Sequence, residues 1–121
     1  MPKILIVDDD VYMTRLLSMT LPGDCEVVQT NKGQDAFALA EQHHPDIILL
    51  DINMPGVNGL EVLRKVKQSE KLKATHVILV TASHDEEDQN LARQLGAVAY
   101  FAKPFSPLSL LSKVSNLLGM E

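Results

Sequence analysis

Short apolar runs alternate along this chain with longer segments that have helical spacing. The apolar runs cover residues 3–7, 25–29, 46–50, 76–80 and 98–101, and they are rich in Val and Ile with little polar alternation. Runs of this kind predict strands that are buried on both faces of a parallel sheet. The run at 25–29 is the most polar of them, so we expect it at an edge of the sheet.

The segments between the runs predict five helices, whose apolar residues recur at helical spacing. These residues are Val11, Leu16, Leu17 and Leu21; Ala36, Phe37, Leu39 and Ala40; Leu60, Val62, Leu63 and Val66; Leu91, Ala92 and Leu95; and Leu108, Leu110, Leu111, Val114, Leu117 and Leu118. Asn58 and Ser106 are predicted N-caps, with Pro107 as the first residue of the last helix. Pro22-Gly23, Pro45 and Gly96 end the earlier helices.

This (βα)5 alternation predicts an α/β fold, namely an open, doubly wound parallel sheet of five strands with helices on both faces. A closed eight-stranded barrel needs about 200 residues or more, and the chain has 121. We therefore expect one domain spanning residues 1–121.

Charge and composition exclude several classes of protein. The net charge is −5 and no Lys/Arg cluster stands out, so direct binding to nucleic acid or to an anionic membrane is not expected. The single Cys excludes an intrachain disulfide. No apolar stretch approaches the roughly 20 residues that span a bilayer, and no signal peptide is visible, so a cytoplasmic protein is expected. His43, His44, His76 and His84 are interpreted as surface residues.

Polar groups follow four of the five predicted strands. Asp8-Asp9-Asp10 follow the first, Asp51 the third, Thr81 the fourth, and Lys103 the fifth. The carboxyl ends of parallel strands meet at one edge of a sheet, where ligands of α/β proteins bind. Asp10 is also a predicted helix N-cap.

This set of groups indicates phosphate chemistry. Carboxylates that lie close together repel each other unless a cation is present, and Mg²⁺ fits a site made of oxygen atoms. Lys103 and Thr81 can neutralise the oxygens of a phosphoryl group in transfer. Asp51 is then left as the nucleophile, since carboxylates form aspartyl-phosphate.

With these residues in place, the chain resembles the receiver domain of two-component response regulators over essentially its whole length. The motifs that carry the resemblance are Ile4-Leu5-Ile6-Val7-Asp8-Asp9-Asp10, Ile48-Leu49-Leu50-Asp51-Ile52-Asn53-Met54-Pro55-Gly56-Val57-Asn58-Gly59, Val80-Thr81-Ala82, and Gly96-Ala97 followed by Tyr100-Phe101-Ala102-Lys103-Pro104-Phe105. Each motif is weak or moderate alone, and together in this order they are specific. The resemblance implies a flavodoxin-like sheet with strand order 2-1-3-4-5.

The resemblance also implies a role for each site residue. Asp51 is the phosphoacceptor, and Asp8, Asp9, Asp51 and the backbone carbonyl of Asn53 bind Mg²⁺. Thr81 and Lys103 contact the phosphoryl oxygens. Tyr100 is the switch residue that turns inward when Thr81 moves, and the Lys103-Pro104 peptide bond is cis. The side chains of Asn53 and Ser83 tune the lifetime of the phosphoryl group.

The implied function is a phosphorylation-activated switch. A sensor histidine kinase or a His-containing phosphotransfer protein donates the phosphoryl group. The face formed by the fourth helix, fifth strand and fifth helix then changes and controls an output domain or a downstream protein. Such a domain catalyses its own phosphorylation and slow autodephosphorylation and is not a turnover enzyme.

One departure from the family pattern concerns dimerisation. Many DNA-binding relatives carry acidic residues after the Gly-Ala of the fifth strand, where this chain has Gly96-Ala97-Val98-Ala99. A dimer built on salt bridges at this face is not expected. A phosphorylation-dependent dimer with an apolar contact stays open, as do the cognate kinase, the output, and the choice between a stand-alone regulator and the receiver of a longer one.

Other functions fit the residues less well. A phosphatase of the haloacid dehalogenase type needs a second Asp two residues after the nucleophile, and that position is Asn53. A P-loop nucleotidase needs a Gly-rich Walker motif, which the sequence lacks. A flavodoxin-like binding module would not need polar groups at four strand ends, and a phosphorylation-independent pseudo-receiver would have lost one of them.

Overall fold

The protein is built around one five-stranded sheet, seen in a computed structural model that describes residues 1–120. The strands are β1 (Lys3–Val7), β2 (Glu26–Thr30), β3 (Ile47–Leu50), β4 (His76–Thr81) and β5 (Ala99–Ala102). All neighbouring strands are parallel, and their spatial order is β2-β1-β3-β4-β5. The expected flavodoxin-like order is confirmed, and β2 lies at an edge as its polar residues predicted.

Five helices connect and cover the strands, and their ends follow the predicted caps. They are α1 (Val11–Thr20), α2 (Ala36–His43), α3 (Gly59–Gln68), α4 (Glu86–Leu95) and α5 (Pro107–Leu117). The Asn58 side chain accepts a hydrogen bond from the Leu60 N–H at α3, and Ser106 accepts from the Ser109 N–H at α5. Gly96 ends α4 with a φ of 105°, a left-handed conformation that favours glycine.

Two short elements lie between these main ones. A single turn of 3-10 helix, Gly33–Asp35, leads into α2. Residues Asn53–Met54 and Val57–Asn58 pair as a small antiparallel hairpin between β3 and α3. In the part of the chain that the structure describes, no helix has the length and apolar character to cross a membrane.

The three inner strands β1, β3 and β4 are buried on both faces, so alternate residues enter two separate cores. Leu5, Val7, Ile48, Leu50, Val77 and Leu79 pack against α2, α3 and α4 on one face. Ile4, Ile6, Ile47, Leu49, Ile78 and Val80 pack against α1 and α5 on the other. Burial of each such side chain is worth about 1.5–3 kcal/mol, and this packing fixes the positions of the strand ends.

The apolar pattern of helix α1 misidentifies the buried face, and in α5 the predicted apolar residue Leu108 is 77% exposed. Leu17 and Leu21 are buried as expected, but Val11 and Leu16 are 55% and 42% exposed. Thr14 is buried in their place, and its hydroxyl donates to the Val11 carbonyl oxygen at 2.9 Å. A small threonine whose hydroxyl bonds within its own helix can enter the core without an unsatisfied polar group, and this leaves Val11 and Leu16 facing outward.

Gly59, the first residue of α3, lies where the chain passes directly over the end of β3. A Cβ atom at this position would overlap the carbonyl oxygen of Asp51 and lie 2.8 Å from the Cα atom of Ile52. Both are backbone atoms, so neither can move away by changing a rotamer. Only glycine allows this approach of α3 to the residue that follows β3.

We predict that Gly59→Ala destabilises the protein by at least about 2 kcal/mol, because the methyl group overpacks a backbone contact. The measurement is the urea midpoint of unfolding. Gly23→Ala is the matched control, since a Cβ at Gly23 meets no atom within 4 Å. An equal midpoint for the two variants would contradict the close approach.

Candidate functional site

The carboxyl edge of the sheet carries two buried acids on its two central strands. Asp8 follows β1 and Asp51 follows β3, and they are 1% and 6% exposed. Sheet hydrogen bonds continue into both residues, from the Asp8 N–H to the Thr30 carbonyl at 3.3 Å and from the Asp51 N–H to the Val7 carbonyl at 3.0 Å. The backbone of each acid is therefore fixed by the sheet itself.

Asp9 completes a cluster of three carboxylates. One side-chain oxygen from each of Asp8, Asp9 and Asp51 lies within 4.8 Å of the others, and Asp9 is exposed. A hard divalent cation such as Mg²⁺ is bound by oxygen ligands and keeps several waters. The donor set, with two buried carboxylates and one that reaches solvent, fits such an ion.

Lys103, in the loop after β5, is the cation already present at the cluster. Its Nζ atom lies 2.7 Å from Asp8 Oδ2 and 3.5 Å from Asp51 Oδ2. Burial alone would lower the pKa of the Lys103 ammonium, but its hydrogen bond to Asp8 and the charges of Asp8 and Asp51 outweigh burial and raise that pKa. Lys103 is therefore held in its charged form.

At Asp8 the effect of burial is larger than the effect of the hydrogen bonds. Burial raises the pKa of the Asp8 carboxyl, and the hydrogen bonds from Lys103 and from the Asp10 N–H offset that effect only in part. The difference from Lys103 follows from burial, because the Lys103 side chain keeps 17% exposure while that of Asp8 keeps 1%. One ammonium does not fully compensate the buried acid.

Two loop residues next to the acids differ in whether the sequence predicted their role. Asp10 caps α1 as predicted, accepting hydrogen bonds from the Tyr12 and Met13 N–H groups. Asn31, after β2, was not singled out. Its side-chain amide donates to the Asp8 carbonyl oxygen at 2.9 Å and to the Thr14 hydroxyl at 3.2 Å. A single Asn in a loop gives no periodic signal, so only the structure identifies it.

Thr81 ends β4 and is fully buried. Its hydroxyl accepts a hydrogen bond from the Ser83 N–H at 3.3 Å, and its carbonyl accepts one from the Lys103 N–H at 2.7 Å. The hydroxyl therefore lies at the same strand edge as the acids. The Ser83 hydroxyl in turn donates to Asp88 Oδ2 at 2.7 Å, which connects this loop to the first turn of α4.

The remaining predicted residues lie around this cluster. The Lys103-Pro104 bond is cis, as the resemblance implied. The Asn53 N–H donates to Asp51 Oδ1 at 3.4 Å, while the Asn53 side chain is exposed. Tyr100 is half-buried, and its hydroxyl donates to the Ser83 carbonyl oxygen at 2.9 Å. Burial raises the pKa of Tyr100.

His84 was interpreted as a surface residue without a role. It is exposed, yet its Nε2 atom lies 3.0 Å from the carbonyl oxygen of Lys103. Because a carbonyl oxygen only accepts, Nε2 donates in this hydrogen bond. The loop between β4 and α4 is thus connected to the loop that carries the cation of the cluster.

Known protein sequences are similar to this chain over most of its length. A family model described as "Response regulator receiver domain" matches residues 4–115. The polar-differentiation response regulator DivK of Brucella ovis is 35% identical over 116 residues, which is 96% of this chain and 94% of that protein.

Solved structures are similar over nearly the whole chain. The BeF3-activated receiver domain of DrrB, a Thermotoga maritima response regulator, matches with a TM-score of 0.88 and 32% identity, covering 98% of each chain. The Mn(2+)-bound response regulator Rcp1 matches with a TM-score of 0.81 and 30% identity, covering 97% of this chain and 91% of that one.

The buried Asp8 carboxyl generates a pH prediction. Since its folded pKa is raised above the ordinary value of 3.8, the stability it contributes is complete below pH 3.8 and is lost as the pH rises through the folded pKa. Asp8→Asn cannot ionise and does not undergo this loss. In metal-free buffer we therefore expect the unfolding free energy of Asp8→Asn, relative to the wild type, to rise with pH above 3.8 and then level off.

Urea unfolding of both proteins at several pH values measures this difference. Asp24→Asn is the control, because Asp24 is exposed and remote from the cluster. A difference between Asp8→Asn and wild type that is constant across the pH range would show that burial does not raise the pKa of Asp8.

Proposed function

The chain belongs to the response regulator receiver domains of two-component systems, and from this premise we propose that Asp51 accepts a phosphoryl group from a phosphohistidine donor. The observation that carries the proposal is the buried cluster of Asp8, Asp9 and Asp51 with the Lys103 ammonium against it. Receiver domains of this family act as phosphoacceptor switches. For this chain, we assign that reaction to particular residues.

Asp51 is the proposed nucleophile because Asp8, the other buried acid, is already held in hydrogen bonds. The Lys103 ammonium is closer to Asp8 than to Asp51, and Asp8 also accepts from the Asp10 N–H at 2.9 Å. Asp51 keeps a freer carboxylate. In the proposed step an Asp51 oxygen forms a bond to phosphorus, the nitrogen–phosphorus bond of the donor breaks, and the electron pair leaves with the imidazole.

In this proposal two groups of the chain would neutralise the phosphoryl oxygens. The Lys103 ammonium is held charged next to Asp51, and the Thr81 hydroxyl lies at the end of the adjacent strand β4. Preorganised donors of this kind stabilise charge as it develops in the transition state. We assign Lys103 and Thr81 these roles.

Mg²⁺ is the proposed cofactor. Asp8, Asp9, Asp51 and the backbone carbonyl of Asn53 would hold it, and the oxygen-only donor set supports this choice. The ion would supply positive charge to the phosphoryl oxygens. The similar protein Rcp1 has a Mn(2+)-bound form, which supports a divalent cation for this chain.

A switch in the loop after β4 is the proposed response. Thr81 and Tyr100 would act together, since the Tyr100 hydroxyl is bonded to the carbonyl of Ser83, two residues after Thr81. A shift of this loop would change the face formed by α4, β5 and α5 and so control an output domain or a partner. Asn53 and Ser83 would tune the phosphoryl lifetime.

Turnover of external substrates is not part of the proposal. Asn53 stands two residues after the nucleophile, and its amide cannot act as the general acid that a phosphatase of the haloacid dehalogenase type needs. The domain would instead hold its phosphoryl group and release it slowly. We propose that residues 1–121 form one such receiver, in keeping with the match of the family model to residues 4–115.

A sensor histidine kinase or a His-containing phosphotransfer protein is the proposed donor. Helix α1 begins beside the acids and exposes Tyr12, Arg15 and Leu16, which supports it as the contact surface. Ser18, on the same helix, is half-buried. An apolar dimer contact through Val98, which is 36% exposed, is the form that a phosphorylation-dependent dimer would take.

We predict that Asp51→Asn abolishes base-labile phosphoryl labelling by acetyl phosphate or by a phosphorylated His-containing donor, because the amide is not a nucleophile for this step. Radiolabel incorporation measures the effect. Asp24→Asn, which removes an exposed acid elsewhere, should label like the wild type. Full labelling of Asp51→Asn would assign the acceptor to another residue.

We predict that Mg²⁺ raises the thermal midpoint of the wild type and that EDTA reverses the increase, because a ligand that binds the folded state stabilises it. Asp9→Asn should reduce this increase while leaving the metal-free midpoint near that of the wild type, since Asp9 is exposed. Differential scanning calorimetry measures both quantities. A Mg²⁺ response in Asp9→Asn equal to that in Asp24→Asn would remove Asp9 from the site.

A further inference from the structure

The loop from Ala82 to Asp85, between β4 and α4, makes a contact that the proposed chemistry does not use. Its residue His84 donates from Nε2 to the carbonyl oxygen of Lys103 at 3.0 Å. Lys103 carries the only ammonium that the described part of the chain places within ion-pair distance of Asp8 and Asp51. The exposed imidazole therefore contacts the backbone of the residue whose side chain holds the acids.

Both backbone polar groups of Lys103 are hydrogen-bonded, the N–H to the last residue of β4 and the carbonyl oxygen to the loop that follows β4. Its N–H donates to the Thr81 carbonyl oxygen at 2.7 Å, and its carbonyl oxygen accepts from His84. The position of a side chain depends on the position of the Cα atom that carries it. Loss of the His84 bond would leave the peptide plane after Lys103 free to rotate, and we expect the side chain that Lys103 carries to shift with it.

The neighbours of His84 in the sequence are themselves held by hydrogen bonds. The Ser83 carbonyl accepts from the Tyr100 hydroxyl at 2.9 Å, and the Ser83 hydroxyl donates to Asp88 at 2.7 Å. On the other side, Asp85 caps α4 by accepting from the Glu87 N–H at 2.9 Å. Residues on both sides of His84 are therefore fixed to β5 and to α4.

We propose that His84 is a positioning residue for phosphoryl transfer, which acts by fixing the Lys103 backbone so that the ammonium lies between Asp8 and Asp51. The inference rests on the proposed function of Asp51 as phosphoacceptor. It assigns no chemical step to the imidazole, which touches neither the acids nor the phosphoryl group. The imidazole links the loop that follows Thr81 to the backbone of Lys103. The positions of Thr81 and Lys103, the two groups proposed to neutralise the phosphoryl oxygens, therefore depend on each other.

The test compares two substitutions that differ in one hydrogen-bond donor. The side-chain amide nitrogen of glutamine can take the place of histidine Nε2, whereas leucine fills similar space without a donor. With acetyl phosphate and Mg²⁺, we expect His84→Leu to lower the maximal rate of Asp51 phosphorylation about threefold, within the range of one exposed hydrogen bond. His84→Gln should restore the rate to near that of the wild type.

Two controls separate positioning from a general loss of structure. His43→Leu changes a histidine in the last turn of α2, at the opposite end of the sheet, and should leave the rate unchanged. In a Lys103→Ala background, His84→Leu should have little further effect, because the imidazole acts through Lys103. Thermal midpoints of all variants are measured alongside the rates.

A spectroscopic measurement tests the hydrogen bond without any phosphorylation. The imidazole 15N spectrum should show a proton on Nε2 of His84, and His84→Leu should shift the 13C resonance of the Lys103 carbonyl. A proton on Nδ1 instead would overturn the contact. Failure of the wild type to accept a phosphoryl group would overturn the proposed function, whatever this spectrum shows.

The rates decide the role of the contact once the spectrum has established it. Equal phosphorylation rates for wild type and His84→Leu would overturn the positioning role, as would His84→Gln as slow as His84→Leu. A loss in the Lys103→Ala background as large as in the wild type would show that His84 acts by another route.

Discussion

The ion pair between Lys103 and Asp8 is the interaction on which the arrangement of the site depends. It joins residues 95 positions apart, from the loop after the last strand to the end of the first. Burying a carboxylate without a partner costs several kcal/mol, and Asp8 is almost completely buried. The whole sheet must be assembled in its parallel order before this cation can reach the acid, so the site exists only when the fold is complete.

The fold supports this ion pair mainly through backbone contacts. The acids follow β1 and β3, which lie next to each other in the centre of the sheet, and the Asp51 N–H bonds directly to the last carbonyl of β1. Gly59 lets α3 begin against the Asp51 carbonyl, and Asn31 holds the Asp8 carbonyl from the side of β2. Each acid is thus fixed from at least two elements, as a preorganised site requires.

The sequence predicts most of this fold and the identity of the central groups, and the reasons are physical. Fully buried parallel strands leave unbroken apolar runs, and caps such as Asn58 and Gly96 act on adjacent residues, so both are visible in the sequence. Asp8, Asp51, Thr81 and Lys103 stand out because they end such runs. Asn31, Gly59 and His84 act through one contact each with a distant backbone atom, and no periodicity reports such contacts. In α1, the exchange of Thr14 for Leu16 on the buried face depends on a hydroxyl bonded within the helix.

The Lys103 ammonium lies at different distances from Asp8 and from Asp51, and this difference bears on the roles proposed for the two acids. At 2.7 Å the ammonium makes a short, charge-assisted hydrogen bond to Asp8, whereas 3.5 Å to Asp51 is only an electrostatic contact. Even so, burial keeps the pKa of Asp8 raised, so the cluster favours further positive charge. Asp51 lies near the ammonium, yet its oxygens are not held by it in a short hydrogen bond. The proposed attack on phosphorus needs a carboxylate oxygen that is not held in a short hydrogen bond, and the Lys103 backbone, bonded to Thr81 and to His84, carries the ammonium that holds Asp8 instead.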